Sequence, residues 1–172
     1  TLVSFDGSRR EISRRTIDAG AVAVAPVDDV VAVGYAEGNV ELLSPNDGDR
    51  AGRAPMRLER VPSSPPARVV AGPMNTLVVG FTNGLVGMWN RADGKRLMVQ
   101  RSHGRVVHLA IRDRSLYAAT DLGGYVVWDL GVLHADRCDL LRNVWDRIPV
   151  VWEQGRVVER NPPPTACQIE ER

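Results

Sequence analysis

The sequence predicts an all-β fold made of repeated four-stranded antiparallel units. Three observations predict it. Residues 76–94, TLVVGFTNGLVGMWNRADG, are two apolar runs joined by Asn83-Gly84, with a second turn at Asp93-Gly94. Asn-Gly between apolar runs is a strong hairpin signal, because both residues tolerate the positive φ of a type I′ turn. The same design recurs in VVAVGYAEGNVELLSPNDG (30–48) and LYAATDLGGYVVWDLG (116–131), and a fragment, LVSFDG, opens the pattern. Anchored on the residue that ends each second run (Phe5, Leu43, Trp89, Trp128), the copies lie 38, 46 and 39 residues apart.

A period of about 40 residues with several strands per unit is the signature of a propeller blade. Each unit buries its faces only against its neighbours, so repetition is a physical requirement. The strand ends read Phe5-Asp6, Trp89-Asn90 and Trp128-Asp129, and the third copy adds His103 and Thr120-Asp121. On these residues the stretch 1–130 resembles the WD-repeat β-propeller family. The resemblance implies a hydrogen-bonded cluster inside the third blade, with Thr120 and Asp121 fixing the ring of His103 and Trp128 offering its indole N–H. The second copy has Thr82, Asn83 and Trp89 without the loop histidine, and the first has Ala36, Glu37 and Leu43.

The elements follow in order. Residues 2–5 read as a strand and 10–16 as a charged edge strand, whose charges discourage sheet-to-sheet pairing. The run RREISRR is a phosphate-binding patch or, more simply, a solvated outer strand. Residues 21–27 form an inner strand of small apolar residues, followed by 30–36, 40–43 and an irregular outer strand at 56–60. The proline-rich VPSSPPA (61–67) reads as a stiff connection or a rigid ligand-facing loop, since three prolines remove three backbone donors. The second blade takes 68–73, 76–81, 85–90 and 96–101. The third takes 105–111, 115–120 and 125–130 and lacks its fourth strand. In its place Cys138, Leu141, Trp145 and Ile148 recur at helical steps, predicting an amphipathic helix over 136–147, capped by Asp136 and ended by Pro149. Residues 148–152 and 156–160 read as one more hairpin. CDLLRNVW followed by PVVWEQGRVV resembles the tail after the last blade in some bacterial WD-repeat proteins.

The predicted organisation is a half blade over 1–18, blades over 19–62, 63–103 and 104–131, a helix and hairpin packed on the propeller over 132–160, and a flexible tail over 161–172. A closed propeller needs about four to eight blades. The array is therefore read as incomplete, with the remaining blades supplied by an upstream segment or another chain. A small closed ring, with the 148–160 hairpin completing the opening half blade, is the alternative.

Charge is balanced, 22 Lys and Arg against 21 Asp and Glu, so no general attraction to nucleic acid or anionic membrane is expected. Lys95 is the only lysine, and the Arg-, Ala-, Val- and Gly-rich composition fits a bacterial coding sequence. No apolar run approaches the roughly 20 residues of a membrane span, and a cytoplasmic location is the expectation. The sequence starts inside a strand pattern without Met, so its true start is expected elsewhere. Cys138 and Cys167 read as two reduced thiols, with a disulfide as the alternative.

No nucleophile elbow, metal-ligand spacing or phosphate loop stands beside His103, His108 or His134, so neither catalysis nor a cofactor is predicted. His108 alternates with apolar residues and is expected to pack on an adjacent blade. Asp28-Asp29 reads as a turn pair, and Trp145 and Trp152 as core residues. The function expected is a protein–protein interaction scaffold or sensor module, with Glu37, Arg68, Asn83 and Arg105 (and Asp121) near one partner-binding rim. The alternative is the C-terminal sensor or regulatory part, or a proteolytic fragment, of a bacterial signalling or defence effector whose activity lies upstream. An enzyme with its site in the channel would need titratable residues on several inner strands, and AVAVAPV, RVVAGP and RVVHLAI offer few.

Overall fold

The computed structural model describes residues 1–44, 56–61 and 64–160. The expected turn at 45–52, Pro55, Pro62, Ser63, Cys167 and the tail 161–172 lie outside the described residues. The chain divides into two compact units, Thr1–Asp129 and Leu130–Arg172.

The first unit is a row of antiparallel meanders. A half blade pairs β1 (Leu2–Phe5) with β2 (Glu11–Arg15). The first full blade orders β3 (Ala21–Val27), β4 (Val30–Tyr35), β5 (Val40–Leu43) and β6 (Met56–Arg57). The second orders β7 (Pro66–Gly72), β8 (Thr76–Phe81), β9 (Leu85–Asn90) and β10 (Arg96–Arg101). The third has three strands, β11 (Val106–Arg112), β12 (Ser115–Thr120) and β13 (Tyr125–Asp129). The innermost strands β3, β7 and β11 are successive neighbours. Sheets are not closed: β1–β2 remains a separate two-stranded sheet.

Register makes the repeat visible. Leu43, Trp89 and Trp128 pair with Val31, Leu77 and Leu116, and one step along Leu42, Met88 and Val127 pair with Ala32, Val78 and Tyr117. Successive strand residues point to opposite faces, so each blade presents one face to the blade before it and one to the blade after. Ala32, Val40 and Leu42 of the first blade join Leu77, Val79, Phe81, Leu85 and Trp89 of the second in one buried cluster. Leu43, Val33 and Tyr35 turn the other way and cover Leu2 and Ile17. Burial of each such side chain stabilises by about 1.5–3 kcal/mol, so the junctions between blades carry most of the hydrophobic term.

The hairpin turns differ in type from the expectation. Of Asn83 and Gly84, only Gly84 has positive φ (83°); its N–H bonds to Phe81 O at 3.2 Å, and Asn83 Oδ1 accepts from Leu85 N. That is a three-residue loop closed by a left-handed glycine, not a two-residue type I′ turn. The same loop recurs at Gly38 (φ 91°) on Tyr35 and at Gly123 (φ 80°) on Thr120. A second departure is Pro66, which opens β7 inside the expected loop. Proline is tolerated as a first strand residue, where its missing N–H interrupts no ladder.

In the second unit, Leu130 leads into a short 3-10 turn, Gly131–His134, then α1 (Arg137–Arg147), β14 (Val150–Glu153) and β15 (Arg156–Glu159). Asp136 caps α1 by accepting from Asp139 N at 2.9 Å, which holds its carboxyl below the usual range, and the helix stops at Ile148 before Pro149. Its apolar stripe is at most half-buried: Val144 and Ile148 are exposed, and so is Trp152 of β14, against the expectation that Trp152 is core. Among the described residues no helix is long and apolar enough to cross a membrane.

Candidate functional site: the loop rim and an interblade recess

Each blade brings two loops together at one end. The turn after the second strand bonds to the segment entering the first strand: Ala36 N to Gly20 O, Thr82 N to Pro65 O, and Asp121 N to Arg105 O, at 2.9–3.0 Å. In the second blade the segments just before β7 and just after β10 also close over that turn. Ser102 N donates to Gly84 O at 2.9 Å, and Asn83 N donates to Ser64 Oγ at 3.0 Å, while Ser64 Oγ also bonds Thr82 Oγ1 at 2.7 Å.

The rim candidates separate on this geometry. Glu37 and Arg105 are exposed, with their side chains at the turn and at the entry segment. Arg68 is exposed too, but its guanidinium donates to Val107 O at 3.0 Å and Ala67 O at 2.8 Å, so it braces β7 against β11. Asn83 is half-buried and caps its own turn. Leu122 (74% exposed) and Tyr125 (78%) stand on the same rim of the third blade. Sequence reading missed both, because Leu122 sits in a turn and Tyr125 reads as ordinary strand alternation.

The expected cluster in the third blade is bonded differently. Thr120 Oγ1 donates to Gly124 O, Asp121 Oδ1 accepts from Arg105 N at 2.8 Å, and the Trp128 indole donates to Gln100 Oε1 of β10. His103 is exposed in the entry loop and joins none of these bonds. The physical reason lies in the strand face: Trp128, like Trp89, points to the preceding blade. Trp89 is buried, donates to Glu59 O at 2.9 Å just past β6, and lies 6.1 Å from Phe81 in tilted stacking. The indole is thus an interblade strut. His108 is exposed as well, since no following blade lies on that face among the described residues.

A recess opens between the half blade and the first blade, lined by Arg15, Ile17, Asp18, Tyr35, Glu41 and Arg57. Glu41 lies on β5 and is buried at 7% exposure, and both its oxygens are used. Tyr35 Oη donates to Oε2 at 2.8 Å and Arg57 Nε to Oε1 at 2.9 Å. Burial first, then the bond to Glu41, pushes the Tyr35 phenol up to about 12. A carboxylate bonded through both oxygens in this way braces the phenol against the guanidinium. On the second blade, Arg91 reaches back to Asp28 at 2.8 Å and to Asp29, and that bond holds the exposed Asp29 carboxyl below its ordinary range. The turn pair therefore grips a neighbour's cation. Among the described residues no three His, Cys, Asp or Glu gather as a metal-ligand set.

These blade junctions can be set beside known structures. Over 74% of its length the chain superposes on BamB from Moraxella catarrhalis, at 18% identity and a TM-score of 0.55, covering 37% of that chain. It matches the β-propeller domain of Myceliophteria thermophila Cps50 (Swd1) over 67% of its length, at 19% identity and a TM-score of 0.56, again covering 37%. The fold is a β-propeller. The computationally designed Ika4 protein is similar over 74% of this chain and 71% of its own, at 22% identity and a TM-score of 0.54. The chain thus spans a little over a third of the two natural propellers it resembles. No family model matches the sequence, and a search of curated proteins finds no match.

Proposed function

We propose that this chain is a non-catalytic protein–protein interaction module, a segment of β-propeller that presents its loop rim to a protein partner. The observation that carries the reading is the pairing of each strand turn with the neighbouring entry loop, which fixes exposed Glu37, Arg105, Leu122 and Tyr125 on a rigid frame. Aromatic and arginine side chains on such a frame lose little entropy on binding and are favoured as interface anchors. The polar groups in the recess are engaged with one another, which supports a structural use of Glu41 and Tyr35.

Affinity capture with the chain and with a Glu37→Lys, Arg105→Glu variant, followed by reconstitution with the purified captured protein, tests the reading. Saturable binding weakened at least about tenfold in the variant, with an unchanged circular dichroism spectrum, is the expected result. Equal binding by both forms places the interaction elsewhere and overturns the rim assignment.

A further inference from the structure

The recess between the half blade and the first blade lies where the repeat, one blade later, places an indole. Tyr35, Glu41, Leu43 and Arg57 line it from the first blade. Their counterparts by register and turn position in the second blade are Phe81, Gly87, Trp89 and Val99. Those four pack around one ring. Trp89 lies 6.1 Å from Phe81, and a carbon added at Gly87 would run into Trp89 Cη2 and lie 3.1 Å from Val99 Cγ2. In the first blade the bulk is placed otherwise. Leu43 is shorter than an indole and carries no polar atom, and Glu41 stands in place of the glycine. The space that results is about 210 Å³, faced from the half-blade side by Arg15, Ile17 and Asp18. That is below the roughly 300–1,000 Å³ of sites for drug-sized ligands and suits a smaller molecule.

The charges in the recess define what that molecule must carry. Arg15 and Arg57 stand against Asp18 and Glu41. Glu41 is committed through both oxygens to Tyr35 and Arg57. Arg57 gives that bond its Nε, and its side chain is otherwise 72% exposed, which leaves the Nη pair for a second acceptor. A guanidinium fork matches the two oxygens of a carboxylate. Among the described residues neither Arg15 nor Asp18 has an ion-pair partner. The Asp18 carboxylate lies near enough to the Tyr35 phenol that, after burial and Glu41, its charge also helps to keep the phenol protonated. Two cationic donors and one uncommitted carboxylate in one small recess match a ligand of both signs. A purely anionic ligand would meet repulsion from Asp18.

We propose that this recess binds a small free amino acid, its carboxylate accepting from Arg15 and Arg57, its ammonium group donating to Asp18, and its side chain resting on Leu43 and Ile17. The bound molecule ties the half blade to the first blade, as the Trp89 indole ties the first blade to the second through Glu59 O. The site uses none of the rim residues and stands apart from rim binding.

Calorimetric titration of the 172-residue chain with glycine, L-alanine, L-serine and L-leucine tests the proposal, with acetate, methylamine and inorganic phosphate as probes of one sign. At least one amino acid should bind saturably with a Kd at or below about 1 mM, and the single-sign probes at least about tenfold more weakly. Arg15→Gln and the isosteric Asp18→Asn should each weaken the amino acid at least about tenfold while leaving the circular dichroism spectrum unchanged. Arg9→Gln, outside the recess, and the Glu37→Lys, Arg105→Glu rim variant should bind it like the unmodified chain, which separates this site from the rim. No saturable binding of any of the four amino acids up to about 10 mM overturns the proposal. So does acetate or phosphate binding as tightly as the amino acid, which would mean an anion site alone, and so does equal binding by the Asp18→Asn variant.

Discussion

Replacing Gly84 by alanine tests the interblade frame directly, because Gly123 is its internal control. Both glycines sit in left-handed loops of the same kind, φ 83° and 80°. Both substitutions therefore carry the same backbone penalty, about 1–2 kcal/mol for a residue with a Cβ. They differ in what the new methyl meets. At Gly84 it runs into Ser102 O and lies 2.6 Å from Gly104 O, both backbone atoms of the segment that enters β11. Those atoms cannot swing away as a side-chain end can. Relief requires moving that segment, which strains the 2.9 Å bond from Ser102 N to Gly84 O. Overpacking of this kind costs about 1–3 kcal/mol, so Gly84→Ala should lose about 2–5 kcal/mol and Gly123→Ala about 1–2. Urea unfolding followed by tryptophan fluorescence reads both from their midpoints, provided the slopes stay equal. Equal midpoints for the two variants would refute the claim that the segment entering β11 rests on Gly84.

Three further outcomes are expected. Trp89→Ala should cost about 3–5 kcal/mol in the same assay, Trp128→Ala distinctly less because it is only half-buried, and Arg9→Ala within about 0.5; a ranking with Trp128 first would contradict the strut geometry. Glu41→Ala should cost about 1–3 kcal/mol by leaving the buried Tyr35 hydroxyl without its acceptor, and much less in a Tyr35→Phe background; additive costs would show that the two do not interact. Ultraviolet titration should find one of the three tyrosines ionising near 12, and Tyr35→Phe should abolish that step. Because the folded value is raised, this contribution to stability is complete below the ordinary tyrosine value of 10.0 and is lost as pH rises through about 12. Tyr35 ionising near the ordinary tyrosine value of 10.0 would overturn it.

The strands were legible because alternation and turn glycines are local signals. β1, β3, β5, β8, β9, β10 and β12 keep the bounds read from the apolar runs and the turn residues between them, and α1 is announced by Asp136 and Pro149. What escaped depends on neighbours far along the chain. Asn83-Gly84 carries the signature of a two-residue turn, yet the backbone just past β10, 18 residues on at Ser102, helps to decide its form. The indoles of Trp89 and Trp128 point to acceptors 30 and 28 residues upstream, at Glu59 and Gln100, which no intrablade motif indicates. Nothing local in VELL signals the burial of Glu41, which comes from the half blade beside it. Of the rim, Glu37 and Arg105 were read from turn positions, whereas the commitment of Arg68 to Val107 O depends on how β7 meets β11.

The indole struts give the row a direction. Trp89 and Trp128 each reach back and hold a group at or just beyond the outermost strand of the blade before, so the first and second blades are finished by their successors. In nearest-neighbour terms, the coupling energy of a junction is spent on the upstream unit's weakest strand. Loss or local melting of the third blade should therefore fray β10 first, while the inner strands of the second blade hold; hydrogen exchange would show β10 amides opening together with β13, and β8 amides opening much later. Fraying would then pass towards the start of the chain, outermost strand by outermost strand, and refolding would have to run the same sequence backwards.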